Sequence, residues 1–209
     1  MSRTNALTLL GLLALAGSGA GLAGLAASPA PALPASSIVE PGTFEIDSVH
    51  SSIVFKIAHN GVSNFYGRFN NVSGTFKSDS TSPESSSLDV SVKADSVDTH
   101  NTKREAHLSG PEFFNAKQFP SITFKSTGVT KGSDGKFSLS GDMTLLGVTK
   151  PVTGSLEFTG QKTGPKGSIA GVEAIVKIKR SDFGMTTYIK EGALGDEVTL
   201  TVALEGGKK

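Results

Sequence analysis

Four segments of the chain alternate apolar and polar residues with period 2. They are Leu88, Val90, Val92, Ala94; Phe137, Leu139, Gly141, Met143, Leu145; Val152, Gly154, Leu156, Phe158; and Val198, Leu200, Val202, Leu204. Successive side chains on a strand point to opposite faces, so each segment predicts a strand with one buried and one wet face. The wet faces carry Asp89, Ser91 and Lys93, then Ser138, Ser140 and Asp142, then Thr153, Ser155 and Glu157, then Glu197 and Thr199. Further strands are predicted over Phe44–Ile46, paired with Ser51–His59, and over Ser121–Val129 and Ile169–Lys179. Phe65–Lys77 reads as one long strand with a bulge near Asn70-Asn71, where Phe69 and Val72 fall out of phase. The predicted class is mainly β: an antiparallel barrel of about eight strands, the closure number of a small barrel that holds one ligand. One or two short helices complete it. Asn101 or Thr102 caps a helix over Lys103–Leu108 that stops at Gly110-Pro111, and a second turn runs through Glu112–Asn115.

The inner face combines Phe55, Phe69, Phe76, Phe124 and Phe158 with the small residues Gly74, Ala94, Gly141, Gly154 and Ala174. A single inward glycine reads as a bend at a barrel corner. The small residues taken together imply an unfilled middle, and an apolar molecule is what fills such a cavity favourably. Ile57, His59, Val92, Leu139 and Met143 share the inward parity, with His59 placed to meet a ligand's polar end. Phe113, Phe114, Phe183 and Met185 fall in irregular stretches, which in a closed barrel lie at its mouth. Lys103, Arg104, Arg180 and Lys190 lie there too, either as solvated loop charge or as a rim on which Arg104 and Arg180 receive an anionic head group.

The N-terminus changes the setting. Met1–Asn5 carries one Arg and no acid, and Ala6–Ala27 is Ala, Gly and Leu apart from Thr8 and Ser18, without charge, the order of a secretory signal. Residues 1–30 are therefore expected to be a leader, 31–42 a Pro/Ala/Ser-rich spacer, 43–205 one domain and 206–209 a tail. The product is expected in the periplasm or secreted, with no stable membrane insertion after cleavage; a retained N-terminal anchor is the alternative. Zero cysteines exclude disulfides and thiolate metal sites. Lys+Arg 20 against Asp+Glu 19, scattered along the chain, leaves no nucleic-acid footprint. Monomer and homodimer are both open.

His50, His59, His100 and His107 are the candidates for metal or proton chemistry, yet no pair has the spacing of ligands on one helix or strand. Asp47 and His50 resemble an acid–histidine pair without an activated Ser or Cys beside them. An enzyme or metal-binding protein using Asp47, His50, His59 and His107 is the alternative to a ligand carrier, and a filled, ligandless barrel is the third reading. No cofactor is called for. Asn71-Val72-Ser73 fits the glycosylation pattern, by chance composition as easily as by purpose.

Four blocks carry a resemblance. Asp47, His50, Ser51, Ile53, Phe55, Ile57 and His59, followed by Tyr66-Gly67-Arg68-Phe69, resemble the opening signature of the YceI-like polyisoprenoid-binding proteins. Asn101–Leu108 with Glu112-Phe113-Phe114 and Phe119-Pro120 is similar to the family's central block, Gly147–Val152 to its turn, and Arg180–Met185 to its C-terminal loop. Glu105 and Glu112 stand where the family more often has Asp, and Asn115 where an acid is common. The resemblance, over Thr43–Glu205, implies a lipocalin-like antiparallel barrel, exported, enclosing a long isoprenoid lipid such as a prenyl phosphate or an isoprenoid quinone, with no catalytic residue.

Overall fold

The computed structural model describes residues 39–132 and 136–209, so the expected leader and most of the expected spacer lie outside the described residues. The strands are β1 (Gly42–Ile46), β2 (Ser52–His59), β3 (Ser63–Phe69), β4 (Val72–Ser78), β5 (Ser87–Lys93), β6 (Val97–Asp98), β7 (Ser121–Lys131), β8 (Phe137–Leu145), β9 (Val148–Gly164), β10 (Gly167–Lys179) and β11 (Leu194–Lys208). A single α-helix, α1 (Thr102–Leu108), accompanies them among the described residues.

All pairings are antiparallel, and the ring β1-β4-β5-β7-β8-β9-β10-β11 closes through β1 and β11. β2, β3 and β6 extend the barrel wall at one end, β2 on β11, β3 on β2 and β6 on β3. The eleven strands thus make eight staves, three of them broken once. This is the expected barrel, with two differences in how its staves are cut. Phe44–Ile46 and Ser52–His59 do not pair with each other but run in succession along β11, at Ile46↔Gly206 and Ser52↔Ala203. At the step between them, Ser51 Oγ accepts from the Glu205 N–H at 3.0 Å and donates to the Glu205 carbonyl at 3.2 Å, filling the gap in the ladder. Likewise the phase change between Phe69 and Val72 is a break rather than a bulge, because β3 pairs with β2 and β6 while β4 pairs with β1 and β5.

Local chemistry explains the joints. Leu146 and Gly147, at φ 53° and 74°, form the two-residue turn of the β8–β9 hairpin, whose left-handed conformations match the strand twist. Asn101 caps α1 by accepting from the Arg104 N–H at 3.0 Å, and Glu105 reaches back to the N–H groups of Thr99 at 2.8 Å and Asn101 at 2.9 Å. Those bonds, Thr99 first, hold the Glu105 carboxyl below its ordinary pKa. The expected turn through Glu112–Asn115 is present and is not a second helix: the N–H groups of Phe113 and Asn115 turn back on the Gly110 carbonyl at 3.1 and 2.8 Å.

The domain is longer at both ends than its alternation suggests. β11 runs to Lys208, opposite Phe44, so the expected tail is largely strand. Val39, expected in the spacer, is fully buried and its N–H donates to Ser80 Oγ at 2.9 Å. One end of the barrel is packed solid: Phe44 stacks on Phe76 at 5.2 Å, Phe137 meets Phe158 edge-on at 4.9 Å, and Val72, Val129 and Leu156 are buried around them.

Candidate functional site

Above this aromatic floor the barrel is hollow. A cavity of about 540 Å³, almost wholly apolar, is walled by Ile53, Phe55 and Ile57 of β2, Phe65 and Phe69 of β3, Leu88, Val90 and Val92 of β5, and Ile122 and Phe124 of β7. Leu139, Met143 and Leu145 of β8, Val152 of β9, Ala174, Val176 and Ile178 of β10, and Val198, Leu200 and Val202 of β11 complete the wall. Its mouth lies among Arg104, His107 and Leu108 of α1, Phe113-Phe114, the segment with Met185, Tyr188 and Ala193, and the β2–β3 hairpin with His59 and Ser63. Volumes of this order are those of small-molecule sites.

The structure brings Phe55, Ile57, His59, Phe69, Val92, Arg104, Phe113, Phe114, Phe124, Leu139, Met143, Arg180 and Met185 to one cavity. It excludes three others. Phe76 and Phe158 belong to the floor, and Phe183 is buried in a turn, 2 % exposed, outside the cavity. Of the small inward residues only Ala174 lines the hollow directly. Gly74, at φ 128°, sits against the Asp89 carbonyl, and Gly154 against that of Ile175, so both serve close backbone approach. Gly141 lies under the ring of Phe124.

Arg180 is not a free rim cation. It is 2 % exposed and donates from Nε to the Gly195 carbonyl at 2.8 Å, from Nη2 to those of Thr187 at 2.8 Å and Leu194 at 3.4 Å, and from Nη1 to that of Met185 at 3.3 Å. Burial lowers its pKa and nearby Asp196 opposes this. Arg104 is differently placed. Its Nε and Nη2 bind Thr99 Oγ1 at 3.0 Å and the Thr99 carbonyl at 2.7 Å, its guanidinium lies 4.6 Å from the Phe65 ring centre, and it remains exposed to solvent at the mouth. Phe65, Leu108 and Tyr188 line the site without having been singled out. Phe65 shares the inward parity of Phe69 and was legible on that ground; Tyr188, at φ 62° in a loop, gives no such signal.

Asp47, His50, His59 and His107 are not assembled into one centre. Asp47 and His50 flank Glu205 near the end of β11, whereas His59 pairs with Leu194 at its start, on the order of 30 Å away along the strand. His107 Nε2 is engaged by Glu112 Oε2 at 2.6 Å, and its ring meets Phe113 edge-on at 5.1 Å. The donor atoms of Asp47, His50 and Glu205 lie within 4.8 Å of one another on a solvent-facing corner. There the hydrogen bond to Asp47, then the charges of Asp47 and Glu205, raise the His50 pKa, so a proton competes with any cation for that nitrogen.

Comparison with known proteins bears on this geometry. The family profile described as the YceI-like domain matches residues 44–206. A UPF0312 protein of Yersinia pestis is 43% identical over 158 residues, which is 75% of this chain and 81% of that protein. The crystal structure of the Campylobacter jejuni YCEI protein is similar at TM-score 0.62 and 34% identity, covering 71% of this chain and 87% of that one. A polyisoprenoid binding domain from Saccharophagus degradans, implicated in plant cell wall breakdown, shares the fold at TM-score 0.60 and 14% identity, covering 81% of this chain and all of that one.

Proposed function

The chain belongs to the YceI-like family, and on that premise we propose that it is an exported binding protein that holds a long isoprenoid lipid in its barrel. The observation that carries this is the cavity itself: about 540 Å³ of apolar space, floored by stacked phenylalanines and opening beside α1. Empty, such a cavity forfeits packing; occupied, each Å² of tail removed from water contributes about 25 cal/mol before ordering costs. That the Saccharophagus degradans domain of the same fold is a polyisoprenoid binding domain supports the choice of guest. The dispersal of Asp47, His50, His59 and His107 favours a carrier over an enzyme. Export rests on the charge and apolar order of Met1–Ala27.

Mass spectrometry of organic extracts from protein purified from its own host tests the reading. A prenyl phosphate or isoprenoid quinone at near one per barrel is the expected result. Absence of any isoprenoid, together with no uptake of an added prenol, would refute it.

A further inference from the structure

Two phenylalanines of the cavity wall lie over glycines of the adjoining strand. Phe55 on β2 is directly opposite Gly67 on β3, and Phe124 on β7 lies beside Gly141 on β8. A Cβ on Gly67 would meet three atoms of the Phe55 ring at 2.3, 2.7 and 3.1 Å; on Gly141 it would meet the Phe124 ring at 2.4 and 2.5 Å and the Lys125 carbonyl at 2.7 Å. Neither glycine has a positive φ, so the backbone conformation does not demand glycine at either position. At Gly67 the ring alone does.

The contrast with the floor shows what this achieves. There, phenylalanines stack on one another and fill the barrel; here, each ring is recessed into the depth a missing Cβ leaves, and the space in front stays open. Resting on the lipid-binding reading above, we propose that Gly67 and Gly141, by recessing Phe55 and Phe124, set the bore of the cavity and admit a methyl-branched chain that a narrower bore would exclude. A linear alkyl chain is thinner than a prenyl chain, which carries a methyl on every isoprene unit. Moving either ring inward therefore penalises the branched guest first.

Gly67→Ala is the cleaner test, because only the Phe55 ring must move. Affinities of the parent and variant full-length chains are measured for geranylgeraniol and for octadecanol, a prenyl and a linear alcohol sharing the hydroxyl head. Gly67→Ala is expected to weaken geranylgeraniol by about tenfold and octadecanol by less than about threefold, the range one displaced group produces in an apolar pocket. Phe55→Leu added to Gly67→Ala should restore the prenol. Thermal melts report whether the alanine variant folds. If it does not, Phe55→Leu alone in the parent widens the bore, and retinol, whose ring is wider than a prenyl chain, should gain affinity several-fold. Equal prenol affinity in parent and Gly67→Ala, equal loss of both alcohols, or no gain of retinol by Phe55→Leu overturns the assignment while leaving lipid binding standing. A parent that takes up neither alcohol overturns both.

Discussion

The buried guanidinium of Arg180 donates to the carbonyl oxygen of Thr187 at 2.8 Å, and the Thr187 hydroxyl in turn donates to the Glu112 carbonyl at 2.6 Å. Glu112 Oε2 then meets His107 Nε2 at 2.6 Å on α1. One continuous chain of hydrogen bonds thus ties the loop after β10 to the turn at Gly110–Phe114 and to the helix across the mouth. Arg180 anchors it, because a planar guanidinium carries five N–H donors in a fixed fork and so serves carbonyls in several directions at once. Arg180→Lys keeps the charge but cannot reach four carbonyls. It is expected to lower stability by about 3 kcal/mol, since buried bonds to a charged donor are lost and carbonyls are left unpaired. Urea denaturation checks this; an unchanged midpoint would mean that the loop holds without its anchor.

The floor and the wall should respond oppositely to truncation. Phe158→Ala removes a ring buried on all sides and should cost about 3–5 kcal/mol, whereas Val202→Ala, in a wall facing open space, should cost less than about 1.5 kcal/mol. Prenol affinity is expected to rank the other way, changing for Val202→Ala and holding for Phe158→Ala in whatever fraction stays folded. Denaturation and binding on the same two proteins decide it.

These contrasts mark where the alternation of residues stops being informative. Period 2 distinguishes inside from outside, because a strand with one wet face must alternate, and so it exposed the staves and the phase change after Phe69, which it read as a bulge in one strand where the chain in fact breaks into two. It carries nothing about height along the barrel axis. Phe76 and Phe124 have the same signature, yet one stacks on Phe44 in the floor and the other lies on Gly141 beside the cavity. Partner exchange at Asp47–Ser51 was hidden for a related reason: which strand a segment pairs with depends on residues more than a hundred positions away, as Ser51 on Glu205 shows. Arg180 and Lys190 likewise look alike as loop cations until the fold wraps carbonyls around one of them.

Acid should loosen the wall at β3 and β6. Asp98 accepts from Asn70 Nδ2 at 3.0 Å, from the His100 N–H at 3.0 Å and from Arg68 Nε at 3.4 Å, and these partners, Asn70 first, hold its pKa at about 2. In the unfolded chain the group returns to about 3.9. A depressed folded pKa stabilises the protein above the unfolded value, and that contribution is lost as pH falls toward about 2. Between those limits the parent should lose more stability than Asp98→Asn, which has no carboxylate to protonate. Denaturation midpoints that fall equally in both proteins would remove Asp98 from the acid response.

Arg104 is expected to decide what kind of head group the mouth recognises. Arg180 is committed to carbonyls, and Arg104, an exposed residue whose Nε and Nη2 serve Thr99, places its guanidinium over Phe65 at the edge of the cavity. A phosphate emerging from the barrel would meet that cation in a charge-assisted contact worth about 1.5–3 kcal/mol, whereas a quinone has no charge to pair. Arg104→Gln is therefore expected to weaken a prenyl phosphate by about tenfold or more and to leave an isoprenoid quinone of equal tail length unchanged. Raising the salt concentration should weaken the phosphate ligand in the parent and have little effect in the variant, because the contact is exposed and screened. If the variant binds both lipids as the parent does, tail burial alone selects the guest, and Arg104 serves only to hold Thr99 and α1 in place.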